Sequence, residues 1–503
     1  MTVSDREKAR NHAIERCREK GILIPTFGQM REPGTIDPAI VAALRGVDMQ
    51  AVDPLNLFRI TWHNDPRTGA FGEVNYLAMP SALTGTEARI AGLVGKYFPT
   101  GSHKVGAAFG CLAPRLVAGE FDPTEQRAVW PSTGNYCRGG AFDSALLGCR
   151  AVAILPQGMS QERFRWLEKT GAEVIATPGS ESNVKEIFDA CWEIRKTRPE
   201  AVIFNQFEDF GNYLWHYGVT GPAAESVFRR LGGPRTRLAA WVGATGSAGT
   251  LATGDHLKKG HPECRIVAAE ALECPTLLQA GFGEHRIEGI GDKHVPWIHN
   301  ARATDAVTAI DDEAAMRLLR LFNEPAGQAE LARRGVEDAT MKSLPLLGIS
   351  SIANLLAAIK TARAFEMDSD DVLLTSFTDS VELYRTRLTE LTEARGPYTN
   401  LEAAADFERF LAGATTDHFK ELRYADRKAI HNLKYFTWVE QQGKSVGQLN
   451  ALWSPSFWED LAEKLPLWDE QIAAFNRETG VLERMGSGGA RPARGEEAYG
   501  GSR

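Results

Sequence analysis

The sequence predicts an α/β fold with parallel-rich sheets flanked by helices. From about residue 70 to 392, short β-branched and apolar runs alternate with longer helical stretches, which is typical of a parallel sheet. The runs are almost continuously apolar, as expected when helices cover both faces of a sheet. The predicted strands are residues 127–132, 149–156, 172–178, 201–206, 237–244, 265–271 and 371–377.

Helix signals occur between and before these strands. The stretch 160–171 ends at Gly171, and the stretch 312–322 is preceded by Asp311, a good N-cap residue. Residues 1–69 predict a helical lead-in, with a charged first helix and a second helix that begins near Asp37-Pro38.

The last quarter of the chain differs from the rest. Strand signals vanish after residue 392, and residues 393–485 contain four of the chain's 11 tryptophans. This indicates a helical, Trp-rich extension that packs against the main domain or another subunit; a lid or ligand-binding role is the alternative. Residues 486–503 have almost no apolar side chains, which predicts a disordered tail.

Composition excludes several classes of function. The 503 residues include 57 Lys and Arg against 65 Asp and Glu, a formal charge of −8, which argues against nucleic-acid binding. The sequence contains no run of 18 apolar residues, so it predicts no membrane span. The charged N-terminus lacks the apolar core of a secretion signal. Seven cysteines without a C-x-x-C pair indicate reduced thiols and a cytoplasmic location.

Three turns contain residues suited to chemistry. Gly246–Thr250 is a small-residue turn after a strand, where backbone N–H groups can hold an anion; tight packing is the alternative. Lys104 lies among small residues in 100–106. A lysine there is a nucleophile if its surroundings lower its pKa; the alternative is an ordinary solvated lysine. The turn Pro131–Tyr136 follows a strand and suits a carboxylate, or only caps a helix.

Two further segments complete an ordered set. Glu288-Gly289-Ile290-Gly291 lies in a predicted loop, and Thr375–Thr378 closes the last strand. With the three turns, their order and separations resemble those of the fold-type II family of pyridoxal phosphate (PLP) enzymes from about residue 75 to 390. The S/T-x-G-N turn, the phosphate loop and E-G-I-G are similar to cysteine synthase and cystathionine β-synthase. The T-G-S-H-K segment looks like the tryptophan synthase β subunit.

The resemblance implies a two-domain fold like that of the tryptophan synthase β subunit, with PLP in a cleft between two α/β halves. The smaller half, about 105–215, would be inserted in the larger half of a catalytic core at 70–392. Lys104 would form the Schiff base with PLP and move protons. The remaining implied cofactor-binding residues are Asn135, Gly246, Ser247, Ala248, Gly249, Thr250, Gly289 and Ser376, the last of these at the pyridine nitrogen. The implied substrate-binding residues are Ser132, Thr133, Gly134, Tyr136, Arg138 and Gln206.

The implied reaction is β-elimination or β-replacement on an amino acid with a β leaving group, through an aminoacrylate. PLP supplies the electron sink, and a neutral serine at its nitrogen makes that sink shallower, which favours rapid loss of the leaving group. A serine/threonine dehydratase-type deaminase or another PLP ammonia-lyase is the rival within the fold. The family resemblance also implies a homodimer and a small-molecule substrate.

Two positions depart from the family pattern. Ala248 stands where cysteine synthases usually have glycine, and its Cβ makes a left-handed backbone less favourable. Arg138 follows Asn135 closely and could bind a second anionic group of the substrate; the alternative is a surface arginine.

A nicotinamide-binding oxidoreductase is the remote alternative. Gly243, Gly246 and Gly249 follow a strand, and Glu270 ends the next one as a ribose-binding acid would. The spacing is not G-x-G-x-x-G, however. A non-catalytic protein whose extension binds partners is a further alternative, and the histidine spacings predict no metal site.

Overall fold

The computed structural model describes residues 2–132, 134–179, 184–291 and 293–486. Its α/β architecture, with parallel sheets between helices and a helical C-terminal extension, confirms the predicted fold class. The strands are β1 Tyr76–Met79, β2 Arg89–Val94, β3 Arg127–Pro131, β4 Arg150–Pro156, β5 Glu173–Thr177, β6 Ala201–Ile203, β7 Arg237–Ala244, β8 Arg265–Ala271, β9 Ala306–Ile310, β10 Asp371–Phe377 and β11 Phe419–Glu421.

The helices precede, separate and follow these strands. They are α1 Val3–Lys20, α2 Phe27–Arg31, α3 Pro38–Leu44, α4 Ser81–Thr84, α5 Lys104–Val117, α6 Asn135–Leu146, α7 Gln161–Glu168, α8 Val184–Thr197, α9 Phe210–Trp215, α10 Gly221–Leu231, α11 Ala252–Gly260, α12 Thr276–Gln279, α13 Asp312–Asn323, α14 Pro325–Arg333, α15 Asp338–Ser343, α16 Ile349–Ala364, α17 Arg385–Arg395, α18 Asn400–Phe407, α19 Tyr424–Lys434, α20 Val446–Ala451, α21 Pro455–Ala462, α22 Lys464–Thr479 and α23 Val481–Gly486. None of the described helices is long and apolar enough to cross a membrane.

The larger sheet has the strand order β1-β2-β10-β7-β8-β9-β11. Its strands run parallel from β2 to β9, and the two edge strands β1 and β11 are antiparallel to their neighbours. Each strand of the parallel part is almost wholly buried, as the continuous apolar runs predicted.

The smaller sheet has the order β5-β4-β3-β6 and is parallel throughout. Its four strands lie between residues 127 and 203. The division of the chain into domains, including the smaller half at about 105–215, stays a prediction. The predicted boundary at residue 393 falls inside helix α17.

All seven predicted strands are present, and four strands were not predicted. One of these, β11 at Phe419–Glu421, shows that the expectation of no strands beyond residue 392 was wrong. It has only three residues and pairs with β9 over Ala306–Thr308, so its pairing comes from a distant segment rather than from a local pattern.

Helices α5 and α6 pack closely and fix the two predicted turns that precede them. A Cβ on Gly139 of α6 would lie 2.9 Å from the backbone nitrogen of Val105 in α5, which only a glycine avoids. Because Lys104 is the first residue of α5 and Asn135 the first of α6, this contact brings the lysine turn and the Asn135 turn together.

The C-terminal extension returns to the lead-in. The ring of Trp468 in α22 lies 5.6 Å from that of Phe27, and Asn476 exchanges hydrogen bonds with the backbone of Ile24. The extension is therefore packed against the rest of the molecule, in line with the expectation that it serves as a packing element. The predicted disordered tail lies outside the described residues from position 487 onward.

Candidate active site

One cleft collects residues from most of the predicted turns. It opens where strands of both sheets end, because Ser132 follows β3 of the smaller sheet and Gly246 follows β7 of the larger one. The carboxyl ends of parallel strands are the usual place for a ligand in such sheets. The cleft is lined by Lys104, Ser132, Asn135, Tyr136, Gln206, Phe207, Gly246, Ser247, Gly289 and Gly291.

Lys104 is half-buried and faces the small-residue turn. Its Nζ lies 3.4 Å from Ser247 Oγ. The chain reaches it through a tight bend in which Thr100 and Gly101 both have positive φ, 71° and 72°. The sequence predicted the lysine turn and the small-residue turn as separate segments, and the structure brings them into contact.

The turn Gly246–Thr250 presents backbone donors without acceptors. Among the described residues, none of its five backbone N–H groups has a hydrogen-bond acceptor. Ala248 has a left-handed backbone with φ 62°, so the residue that departs from the family pattern does adopt the conformation that favours glycine. Unpaired N–H groups in a turn before a helix form an anion-binding cradle.

Asn212 holds this cradle in place. Its Nδ2 donates to Ser247 Oγ at 2.9 Å and to the carbonyl of Gln206 at 3.0 Å. A Cβ on Gly249 would lie 2.2 Å from Asn212 Oδ1, so a larger residue there would displace the amide. Sequence reasoning assigned Asn212 no role in the site.

Ser132 and Asn135, which follow β3 of the smaller sheet, also line the cleft. Ser132 Oγ accepts hydrogen bonds from the Gly134 amide at 3.2 Å and from Gln206 Nε2 at 3.3 Å. Ser132 therefore contacts two other predicted substrate-binding residues, Gly134 and Gln206. Thr133, also predicted here, lies outside the described residues.

Arg138 is a buried residue and not the surface arginine of the alternative interpretation. It is 1% exposed, and its guanidinium donates to Asn135 Oδ1 at 3.1 Å and to the carbonyl of Thr100. Burial is the main cause that lowers its pKa to about 10. The guanidinium lies 4.9 Å from the ring centroid of Trp166. Contact between Arg138 and a substrate anion stays a prediction.

Two predicted site residues lie in unexpected surroundings. Tyr136 reaches the cleft, but its ring packs edge-on against Trp130 at 5.4 Å, and burial raises the pKa of its hydroxyl well above the ordinary value. Ser376 is buried within β10, where its carbonyl accepts from Asn354 Nδ2 at 2.7 Å. Ser376 is not among the described residues that line the cleft, so its role at the cofactor stays a prediction.

Asp379, two residues after the end of β10, contacts the predicted site residue Asn135. Its Oδ2 accepts from Asn135 Nδ2 at 2.6 Å and from the Tyr384 hydroxyl at 2.7 Å. Burial raises the pKa of Asp379, and the nearby Arg163 opposes that shift. Sequence reasoning missed Asp379; its position just after the last parallel strand was the signal that could have found it.

A buried ion network continues from Asp379 to the E-G-I-G loop. Arg163 donates to the Tyr384 hydroxyl at 3.0 Å, and its Nη1 lies 3.2 Å from Glu288 Oε2. Arg387 Nε donates to the other oxygen of Glu288 at 2.6 Å. These side chains therefore connect the turn at Asn135 with the loop that carries Gly289.

The nicotinamide alternative is not supported at its key residue. Glu270 accepts hydrogen bonds from the amides of Leu277 at 2.9 Å and Leu278 at 2.8 Å, at the start of α12. Burial raises its pKa to about 8. A carboxyl group engaged in this way does not face a ribose.

Comparison with known proteins agrees with this site. The model of the pyridoxal-phosphate dependent enzyme family matches residues 96–379. The chain is 30% identical over 281 residues to a probable cysteine synthase of Bacillus subtilis, covering 56% of this chain and 83% of that protein. It is 30% identical to a cysteine synthase of Staphylococcus aureus, covering 57% of this chain and 84% of that protein. The chain therefore belongs to the family of pyridoxal-phosphate dependent enzymes.

Solved structures share the fold. The chain is similar to O-acetyl serine sulfhydrylase isoform 3 of Entamoeba histolytica, with a TM-score of 0.55, 22% identity, and coverage of 68% of this chain and 98% of that one. It is similar to the O-acetylserine dependent cystathionine beta-synthase of Helicobacter pylori, with a TM-score of 0.53, 23% identity, and coverage of 62% and 94%.

The residues of the cleft fit the family's cofactor. A phosphate needs several donors, and the turn 246–250 offers backbone N–H groups without acceptors in the described part of the chain. A Cβ on Gly246 would meet nothing closer than the Gly289 carbonyl at 3.5 Å, so the mouth of the cradle is open. An aldehyde needs a nearby amine, and Lys104 provides one beside Ser247.

Proposed function

We propose that this protein catalyses β-elimination or β-replacement on an amino acid with a β leaving group, as a cysteine synthase-like lyase or transferase of amino-acid metabolism. The observation that carries the proposal is the approach of Lys104 Nζ to Ser247 Oγ at 3.4 Å, which places an amine beside an anion cradle. The two cysteine synthases support the choice of reaction, since each matches this chain over more than four fifths of its own length.

Each side of the cleft has a distinct task in this proposal. When bound, PLP supplies the electron sink that makes the substrate's α-proton removable. The cradle 246–250 would hold the phosphate, and Lys104 would hold the cofactor aldehyde and provide the amine that accepts and returns the substrate proton. The amide of Asn135 orients the ring oxygen. Ser132 and Gln206 face the substrate carboxylate.

Asp379 orients Asn135 in this arrangement. Its Oδ2 accepts from Asn135 Nδ2, and Arg138 Nη1 donates to Asn135 Oδ1, so both ends of the side-chain amide have partners. The amide plane is therefore set before any ligand binds, which reduces the ordering cost of binding.

We also propose that the protein is cytoplasmic and forms a homodimer. All seven cysteines are free and buried, which suits a reducing compartment. The dimer follows from the family resemblance. Light scattering of the purified protein tests it, and a mass of a single chain would contradict it.

Covalent attachment tests the cofactor assignment. The purified protein is expected to be yellow, and borohydride treatment followed by peptide mapping is expected to find a pyridoxyl group on Lys104. Lys104→Ala should abolish the adduct. Lys342→Ala is the matched control, because Lys342 is exposed on α15 and, among the described residues, forms an ion pair with Asp338 alone. A colourless protein that takes up no PLP would contradict the proposal.

The reaction itself needs a separate assay. Amino acids with β leaving groups are offered with and without a thiol or sulfide acceptor, and keto acid, ammonia and new thioether or thiol are measured. A replacement enzyme needs the second nucleophile, whereas a dehydratase-type deaminase forms keto acid and ammonia without it. Turnover of none of these amino acids by the yellow protein would exclude this reaction class.

A further inference from the structure

The C-terminal extension contacts two chain segments, one that lines the cleft and one that follows two lining residues along the chain. The first is segment 205–208, which contributes Gln206 and Phe207 to the cleft lining. The second is segment 295–299, a few residues after Gly289 and Gly291 of the same lining. The amide of Ile298 donates to the carbonyl of Phe207 at 3.2 Å, so the two segments are joined to each other.

Lys434, the last residue of α19, is the central contact. Its side chain is 0% exposed, and its Nζ donates to the carbonyls of Trp297 at 2.9 Å and His299 at 2.6 Å. In the described chain no carboxylate lies within 4.0 Å of that Nζ. A buried cation without a counter-ion is costly, so a mere cover for the core would be more stable with an apolar residue there.

Trp438, one turn further on, makes the second contact. It is fully buried, and its indole Nε1 donates to the carbonyl of Val295 at 2.9 Å. Within the described residues the carbonyls of Val295 and Trp297 accept from no other donor. The extension therefore supplies hydrogen bonds that segment 295–299 does not obtain from the core.

Lys444 makes the third contact, on the other segment. Its Nζ lies 2.7 Å from Glu208 Oε2, next to Phe207, and 5.8 Å from the ring centroid of Trp297. Phe207, Trp297, Ile298 and Trp438 belong to one apolar cluster. Both segments are thus held by polar contacts at their edges and by apolar packing between them.

We propose that Lys434 and Trp438 are positioning residues that hold segments 295–299 and 205–208, and through them the cleft wall formed by Phe207, Gly289 and Gly291. The family model ends at residue 379, so both residues belong to a part of the chain that it does not match. The expected effect of these two residues on PLP binding rests on the proposed cofactor site. Their expected effect on the two segments rests on geometry alone.

A pair of matched substitutions tests it. Trp438→Phe and Trp458→Phe each remove one indole donor that reaches one carbonyl at 2.9 Å, but Trp458 donates to Leu452 inside the extension. Hydrogen exchange of the full-length protein is measured by mass spectrometry over 295–299 and 205–208, with β7 as internal reference. PLP affinity is measured by absorbance titration.

Trp438→Phe is expected to speed exchange in both segments, since an unsatisfied buried carbonyl destabilises the segment that carries it. PLP binding is expected to weaken by up to about tenfold, because re-ordering the loosened segments on binding then takes up to about 1.4 kcal/mol of the binding free energy. Trp458→Phe is expected to leave both readouts as in the unsubstituted protein. Equal readouts for the two variants would overturn the proposal. If Trp438→Phe fails to fold, Lys434→Met makes the same test against Trp458→Phe.

The two proposals fail in different ways. A protein that binds no PLP at all would contradict the proposed function, while the difference in exchange between the two tryptophan variants would still support the positioning role. Unchanged exchange in a yellow, active Trp438→Phe variant would contradict the positioning role alone.

Discussion

The described residues of the stretch 288–299, which are 288–291 and 293–299, are held differently at the two ends of that stretch. At the first end, the carboxylate of Glu288 meets the guanidinium groups of Arg163 and Arg387, so charge faces charge. At the second end, Lys434 and Trp438 donate to backbone carbonyls, and the charge of Lys434 has no carboxylate within ion-pair distance in the described chain. The first contact depends on keeping both signs of charge, whereas the second consists of hydrogen bonds to backbone carbonyls from a group whose charge is costly to bury.

The two ends also differ in origin along the chain. Arg163 and Glu288 lie inside the stretch that the family model matches, 96–379, whereas Lys434 and Trp438 lie beyond it. Residues inside the matched stretch are therefore attached both to a residue of that stretch and to a segment that lies beyond it. Within this stretch the Gly291 amide donates to the carbonyl of Thr245, the residue just before the cradle 246–250, at 2.7 Å.

Glu288→Gln breaks the first end and should have the largest effect. Arg163 is 0% exposed, and removing the charge that faces it is expected to lower the free energy of unfolding by about 3–5 kcal/mol. Urea denaturation measures this. Glu390→Gln is the matched control, because Glu390 also pairs with Arg387 but is exposed, so its loss should cost less than about 1 kcal/mol. Equal losses would show that the buried pair is not the anchor.

Lys434→Met tests the second end through the pH dependence of the free energy of unfolding. Burial lowers the pKa of Lys434 from 10.5 to about 7 in the folded protein. Between these values the unfolded chain holds a proton that the folded chain has lost, so the stability of the lysine protein relative to Lys434→Met should rise with pH. The slope approaches about 1.4 kcal/mol per pH unit and vanishes below pH 7.

Unfolding curves in urea at pH 6, 7, 8, 9 and 10 measure that difference. The neighbouring histidines do not interfere, because burial lowers the pKa of His431 to about 4 and of His299 to about 3, and both stay neutral throughout the window. A constant difference between the two proteins from pH 7 to 10 would contradict the lowered pKa of Lys434.

Ala248→Gly changes a residue of the cradle and should have the smallest effect on the free energy of unfolding. A left-handed backbone costs an L-residue about 1–2 kcal/mol, and glycine's extra freedom in the unfolded chain offsets part of the gain. We expect a rise of less than about 1 kcal/mol in the free energy of unfolding. Ala280→Gly is the control: it also has positive φ, but it is exposed and remote from the cleft lining. A change in PLP affinity is expected for position 248 only.

The parts of the fold that sequence reasoning predicted have local causes. The strands with both faces buried appear as unbroken apolar runs, and the residues that follow β3 and β7 are small or polar and line the cleft. The three-residue strand β11 escaped prediction because its stability comes from pairing with β9. The burial of Arg138 escaped because α6 is surrounded on every side, which its own sequence does not show.

What the sequence alone determined is the alternation of strands and helices, the family, and the turns that carry Lys104, Asn135 and Gly246, since each is written in consecutive residues. Only the tertiary structure decided how those turns are held. Asn135 and Asp379 are 244 positions apart, and Lys434 and Trp297 are 137 apart. Such contacts arise when packed layers bring distant segments within hydrogen-bond distance, and no local pattern of residues encodes that distance.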